Sequence, residues 1–264
     1  MLTTMLDWYI KQPLHVGKYK VLRALFALFD GSVLRSRYGP WIRLKAADYT
    51  NRVAISGCGP GVADYDDVFG EVSSLKPGMA FVDVGANIGL FSLVASERVG
   101  STGVVLAFEP SFPLFKGLVE NADLNRVRNL YPFNAAMGSS VGIVRFSAGK
   151  ENHSGVGRLN PEGDSSVLQV DLSSMLTVVD AVIGDREITI KIDVEGAECI
   201  VVQSMQQLIV RPQVRTIIVE INATHLAKFG AKAEQIYESM ASAGYAPRRG
   251  LGAAKHYNEI FDRC

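Results

Sequence analysis

Five short apolar runs separated by segments of helical periodicity constrain this chain more than any other feature. They are Phe81–Val84, Gly103–Phe108, Asn129–Phe133, Ile188–Ile192 and Thr216–Val219. Helical spacing recurs between them, over Ile88–Ser96 and Phe112–Asp123. Strands buried on both faces read as continuous apolar runs, and strand–helix alternation requires crossover connections. The predicted architecture is therefore α/β with a mainly parallel sheet. Residues 139–172 are richer in Gly, Ser and short β runs and predict a hairpin inserted beside that sheet. A helix is expected near Ala231–Ala243, followed by a closing strand pair around Tyr245 and Arg248-Arg249.

The first 74 residues read as an N-terminal helix and small β extension packed on a core of residues 75–264. Leu22, Leu25, Phe26 and Phe29 lie at i, i+3, i+4, i+7, the spacing of one helical face. Lys18, Lys20 and Arg23 near its start leave two readings, a helix packed on the core or a basic helix resting on a membrane or substrate. The stretch Val33–Ile55, interrupted by Tyr38-Gly39-Pro40, predicts a short hairpin or small sheet, and Gly57, Gly59, Pro60 and Gly61 predict a loop.

Lys+Arg and Asp+Glu both number 27, so no net charge draws the chain to nucleic acid, and no nucleic-acid partner is expected. The three cysteines, Cys58, Cys199 and Cys264, have no metal-ligand spacing and read as reduced thiols of a cytoplasmic protein. No apolar run has the length of a membrane span, and the first thirty residues lack the pattern of a signal peptide. A homo-oligomer is left open.

In an open α/β sheet, ligands bind beyond the carboxyl ends of the strands. Asp83-Val-Gly-Ala-Asn-Ile-Gly89 lies there, between the first run and its helix. Gly85 permits a tight turn and a close ligand, and Gly89 lets the helix start near the strand. The G-x-x-x-G spacing lacks the middle glycine of a pyrophosphate loop, and the preceding Asp83 would repel a phosphate. An amino-acid end suits the turn better, as in S-adenosylmethionine (SAM), with Asp83, Gly85, Ala86, Asn87 and Gly89 as candidate contacts. Glu109 ends the second run, where a carboxylate can accept both hydroxyls of a ribose. Pro110, a further candidate cofactor contact, stops the strand, Ser111 and Phe112 follow as candidate flanks of the adenine, and Asn134, Ala135 and Ala136 leave room for a flat base. Lys191-Ile-Asp-Val-Glu-Gly-Ala-Glu198 places Asp193 and Glu195 at the same edge, while Glu198 reads as a helix cap. Glu220 joins that edge and His225 follows as a candidate base. No metal ligands are assigned; Mg2+ among the carboxylates is allowed but not favoured.

Taken together, Leu75-Lys-Pro-Gly78, Phe81–Gly89, Phe108-Glu-Pro110, Asn134-Ala-Ala136, Lys191–Glu198 and Ile218-Val-Glu-Ile221 resemble the FkbM family of methyltransferases, in family order over residues 75–221. The resemblance implies a class I Rossmann-like fold, with a seven-stranded sheet and helices on both faces. It implies SAM as methyl donor, S-adenosylhomocysteine as product, and a hydroxyl acceptor on a small molecule or glycan such as a sugar, polyketide or glycolipid. By position it implies that Asp83, Gly85, Asn87 and Glu109 contact the cofactor and that Asp193 and Glu195 are site residues. Two departures bear on the acceptor: Tyr65-Asp66 stands where the family often has Tyr-Glu, and Asp171-Leu-Ser173 where it usually has Thr-Leu-Asp. A nicotinamide-dependent oxidoreductase and a non-catalytic SAM-binding module remain as alternatives.

Overall fold

The computed structural model describes residues 2–264 except 13–14, 16, 60–61, 150–156 and 253. The chain opens with helices α1 (Leu2–Lys11) and α2 (Lys18–Leu28), a hairpin of β1 (Val33–Arg35) and β2 (Trp41–Arg43), and helices α3 (Tyr49–Ser56) and α4 (Val62–Ser74). There follow β3 (Ala80–Val84), α5 (Leu90–Val99), β4 (Val104–Phe108), α6 (Phe112–Leu124) and β5 (Leu130–Phe133). A four-strand insertion comes next: β6 (Ala136–Met137), β7 (Gly142–Ser147), β8 (Arg158–Leu159) and β9 (Ser165–Val170). The last part runs α7 (Leu172–Ile183), β10 (Ile188–Ile192), α8 (Glu198–Ser204), α9 (Gln206–Ile209), β11 (Val214–Asn222), α10 (Ala223–Lys228), α11 (Ala233–Ser242), β12 (Tyr245–Pro247) and β13 (His256–Arg263).

The main sheet has seven strands in the order β12-β13-β11-β10-β3-β4-β5. Strands β11, β10, β3, β4 and β5 are parallel, whereas β13 runs antiparallel to both β11 and β12. This is the expected class I methyltransferase architecture, closed by the strand pair anticipated after Tyr245. Successive residues of a strand point to opposite faces, and the core divides accordingly. Val82, Val84, Leu106, Ile190, Ile192, Ile217 and Val219 pack with α7, α8, α9 and α11. Phe81, Val105, Ile218 and Ile260 pack on the other face with α5 and with Leu6, Ile10, Leu22, Phe26, Val68 and Val72 of the N-terminal helices.

Several expectations shift. The helix around Leu22 packs inward through Leu22 and Phe26, with Lys18 buried beside them; its ammonium donates to the carbonyls of Ile10 and Gln12 and so ties α2 to the end of α1. The hairpin expected over Val33–Ile55 stops at Arg43, and residues 49–56 are helical instead. The Asp48 side chain accepts from the Thr50 amide at the start of α3, and Gly57 ends it in a left-handed conformation. Pro60 and Gly61 of the anticipated loop lie outside the described residues. The inserted hairpin is a separate sheet ordered β6-β9-β7-β8, with β7 antiparallel to β8 and β9; its residues 150–156 are likewise outside the described set.

Candidate active site

The parallel strands end at one edge of the sheet, and a cavity of about 600 Å3 opens there. Its wall combines the β3–α5 loop, the ends of β4, β10 and β11, the start of β13, and residues of α3, α4 and the small sheet. The loop at its centre is tightly determined. Gly85 has φ +83°, and a Cβ there would run into the carbonyl oxygen of Asp193. The amides of Gly85 and Ala86 both donate to the Phe108 carbonyl, at 2.9 and 3.0 Å. Asn87 adopts φ +54°, unusual for a residue with a side chain, and its Oδ1 accepts from the Ile88 amide at 2.8 Å.

Glu109 stands one strand over. Its two oxygens accept from the Asn87 and Ser111 amides, each at 2.8 Å. Burial pushes this carboxyl up to about 7, against the Ser111 and Asn87 amides, which favour the charged form. If Glu109 holds the ribose of SAM, as the sequence predicts, it must act as a carboxylate acceptor, and SAM affinity should then rise as pH climbs through about 7 and level off above it. Calorimetric titrations from mildly acidic to mildly alkaline buffer would show this, and a flat affinity across that range would contradict it.

Asp83, expected to contact the ligand, does not line the cavity. On β3 it shares a face with Phe81, and this turns it toward α5, where its Oδ2 accepts from the Ser92 hydroxyl at 2.6 Å. Its Oδ1 lies 3.5 Å from the Lys191 ammonium, which also approaches Asp193 Oδ2 at 3.0 Å. Burial alone would push Lys191 down, but Asp193 and Asp83 hold it above its ordinary range. Of the other anticipated residues, Gly85, Ala86, Asn87, Glu109, Pro110, Ala135, Asp193 and Glu195 line the cavity. Gly89, Ser111, Asn134 and His225 stand behind that wall. Asn134 Nδ2 donates to the Glu109 and Pro110 carbonyls at 2.9 and 3.0 Å, fixing the turn that carries Glu109. Phe112 is exposed to solvent, and Pro110 and Leu114 occupy the wall in its place.

At the other end of the cavity the carboxylates crowd. Glu195, at φ +57°, is pushed up to about 10 by burial and by Glu220 and Asp193. Its Oε2 lies 2.7 Å from His225 Nδ1, a close approach without hydrogen-bond alignment. Burial, together with Lys228 and Arg158, holds the His225 imidazole below its ordinary value. Glu220 is pushed up to about 7 by burial and by Asp193, and His256 opposes this. Glu220 Oε1 meets His256 Nε2 at 2.8 Å. The fully buried Glu198 accepts from the Val194 and Gly196 amides at 3.1 and 3.0 Å, so it staples the loop before α8. Oxygens of Asp193, Glu195 and Glu220 lie within 4.8 Å of one another, a spacing compatible with a cation. Sequence reasoning missed His256. It reaches the cavity because antiparallel β13 pairs with β11, bringing His256 opposite Asn222 and Asn258 opposite Glu220; no local motif signals it.

Residues 83–247 match the family described as "Methyltransferase FkbM domain", more than half of the chain. The chain belongs to the FkbM methyltransferase family. It is a SAM-dependent methyltransferase, and a cavity that pairs a glycine turn with a carboxylate one strand away accords with that donor. No curated protein matches this methyltransferase at a significant level. Among solved structures it is similar to M. jannaschii TYW2 in complex with AdoMet, at 14% identity, 89% and 87% of the two chains covered and TM-score 0.46. It is also similar to a ribosomal protein L11 methylase from Lactobacillus delbrueckii subsp. bulgaricus, at 17% identity, 78% and 80% coverage and TM-score 0.44. A third is a precorrin-6y C5,15-methyltransferase from Geobacter metallireducens, at 13% identity, 72% and 82% coverage and TM-score 0.40.

Proposed function

We propose that this methyltransferase transfers the methyl group of SAM to a hydroxyl oxygen of a small molecule or glycan, such as a sugar, polyketide or glycolipid. The observation that supports this most is the order of groups along one cavity: Glu109 after β4, Gly85 after β3, Asp193 after β10 and Glu220 at the end of β11. Three strand steps of ~4.8 Å span on the order of 14 Å, long enough for a ribose at one end and an acceptor at the other. Gly85, Ala86, Asn87 and Glu109 would hold the donor, with Pro110 and Ala135 beside its base. Bound there, SAM supplies a methyl group already activated as a sulfonium.

The chain's own contribution is alignment and proton handling. Asp193, paired with Lys191, presents a carboxylate oxygen that can accept the acceptor's hydroxyl hydrogen as the oxygen attacks. Glu195 is neutral near pH 7 if its carboxyl titrates at about 10, so it donates a hydrogen bond rather than taking the proton. His225 supports Glu195 from behind the wall. The Lys191 ammonium already serves Asp193, so methyl transfer is expected to survive chelation of divalent metals, measured as labelled methyl incorporation with and without chelator. Asp193→Asn should lower turnover by about 100- to 10,000-fold. It should leave SAM affinity within a few-fold, as measured by radiolabelled transfer to a panel of sugars and polyols beside calorimetry of SAM binding. Loss of SAM binding in that variant would instead make Asp193 a donor contact.

A further inference from the structure

Helices α1 and α2 carry outward faces that a solvent-facing helix does not ordinarily have. On α2, Leu22 and Phe26 point into the core, yet the opposite side presents Val21, Ala24 and Leu28 at i, i+3, i+7, all exposed, with Leu28 at 78%. On α1, Met5 and Trp8 share a face and are 63% and 64% exposed, while Leu6 and Ile10 are buried. Outward faces are normally polar, and exposed apolar residues grouped on them mark a surface suited to an interaction.

The charge around these residues says what kind of surface that is. From Met1 to Phe29 the sequence holds a single acid, Asp7, against Lys11, Lys18, Lys20 and Arg23. Asp7 is engaged, its Oδ1 accepting from the Arg35 amide at 3.3 Å, whereas Lys11, Lys20 and Arg23 are exposed. Exposed aliphatic residues and a tryptophan flanked by basic residues form the pattern of a helix lying in a membrane interface. No described helix is long and apolar enough to cross a membrane, so the contact is with the surface.

We infer that α1 and α2 dock this chain on an anionic phospholipid bilayer, with Met5, Trp8, Val21 and Leu28 entering the interface and Lys11, Lys20 and Arg23 meeting the headgroups. The placement connects to the site. Both helices pack on α3, and α3 contributes Tyr49, Thr50 and Ala54 to the cavity wall, so the docking helices connect to the site through α3.

Flotation of the full-length chain with phosphatidylglycerol–phosphatidylcholine vesicles, compared with pure phosphatidylcholine vesicles, tests this. The chain should float with the anionic vesicles and not with the neutral ones, and raised salt should release it. In a Trp41→Phe background, which leaves Trp8 as the sole tryptophan, emission should shift to the blue on binding. Lys20→Glu with Arg23→Glu should weaken binding by about tenfold or more, with SAM affinity and thermal midpoint unchanged. The salt titration of the unaltered chain gives the same answer without any question of folding. Three results would overturn the inference: no flotation, equal flotation with both vesicles, or a concentration-dependent dimer in sedimentation velocity that Val21→Gln with Leu28→Gln abolishes.

Discussion

Gly85→Ala should weaken SAM binding by at least ~100-fold. Two effects combine at this position. The backbone sits at φ +83°, where a side chain costs about 1–2 kcal/mol. The added methyl would also run into the Asp193 carbonyl oxygen, and that residue is held in place just past β10 because its amide donates to the Val84 carbonyl at 3.0 Å. Either the β3–α5 loop lifts toward the cavity or Asp193 is pushed aside, and each outcome damages the surface proposed to grip the donor. The strain is local to the loop, so the variant should remain folded. Calorimetry on folded protein reads the loss, and affinity within a few-fold of the parent would mean that the turn does not face the ligand.

Lys191→Met should destabilise the fold by about 3–5 kcal/mol, because it leaves a buried carboxylate without its partner. Asp83 is fully buried and Lys191 nearly so, and Ser92 alone would remain to satisfy Asp83. For a chain of this size that corresponds to roughly 6–20 °C in thermal midpoint. Adding Asp83→Asn should recover much of the loss, since the charge left unpaired is then gone. Differential scanning calorimetry on the two single variants and the double variant measures the coupling. Purely additive losses would show that Asp83 and Lys191 do not depend on each other. The ion pair thus explains how two neighbouring strands in the middle of the sheet, β3 and β10, each tolerate a buried charge, and why Asp193 just past the end of β10 is held beside Lys191.

The central sheet was legible because parallel strands are apolar on both faces, and runs such as Val104–Phe108 leave little alternative. The Gly85 turn, Glu109 and the run from Lys191 to Glu198 were legible for a similar reason: each depends on residues close together in sequence. What escaped was set by distant pairing. Asp83 looked like a ligand contact until the two-residue alternation of β3 turned it toward α5. The interruption at Tyr38-Gly39-Pro40 led the hairpin to be extended over α3, although Asp48 and Gly57 mark that helix's ends. His256 enters the cavity only through the β11–β13 register, more than thirty residues away from Glu220 in sequence. Tyr65 and Phe146 reach the wall from α4 and the small sheet, whose packing no local pattern encodes.

The proposed grip on the methyl donor is a single pairing, the glycine turn beside Glu109. Isothermal titration of the purified chain with SAM and with S-adenosylhomocysteine, in mildly alkaline buffer, measures it directly. Both nucleosides should bind at one site, and Glu109→Gln should lower affinity for each by about 10- to 100-fold. Absence of heat with either compound from correctly folded protein, or affinity that Glu109→Gln leaves untouched, would contradict it.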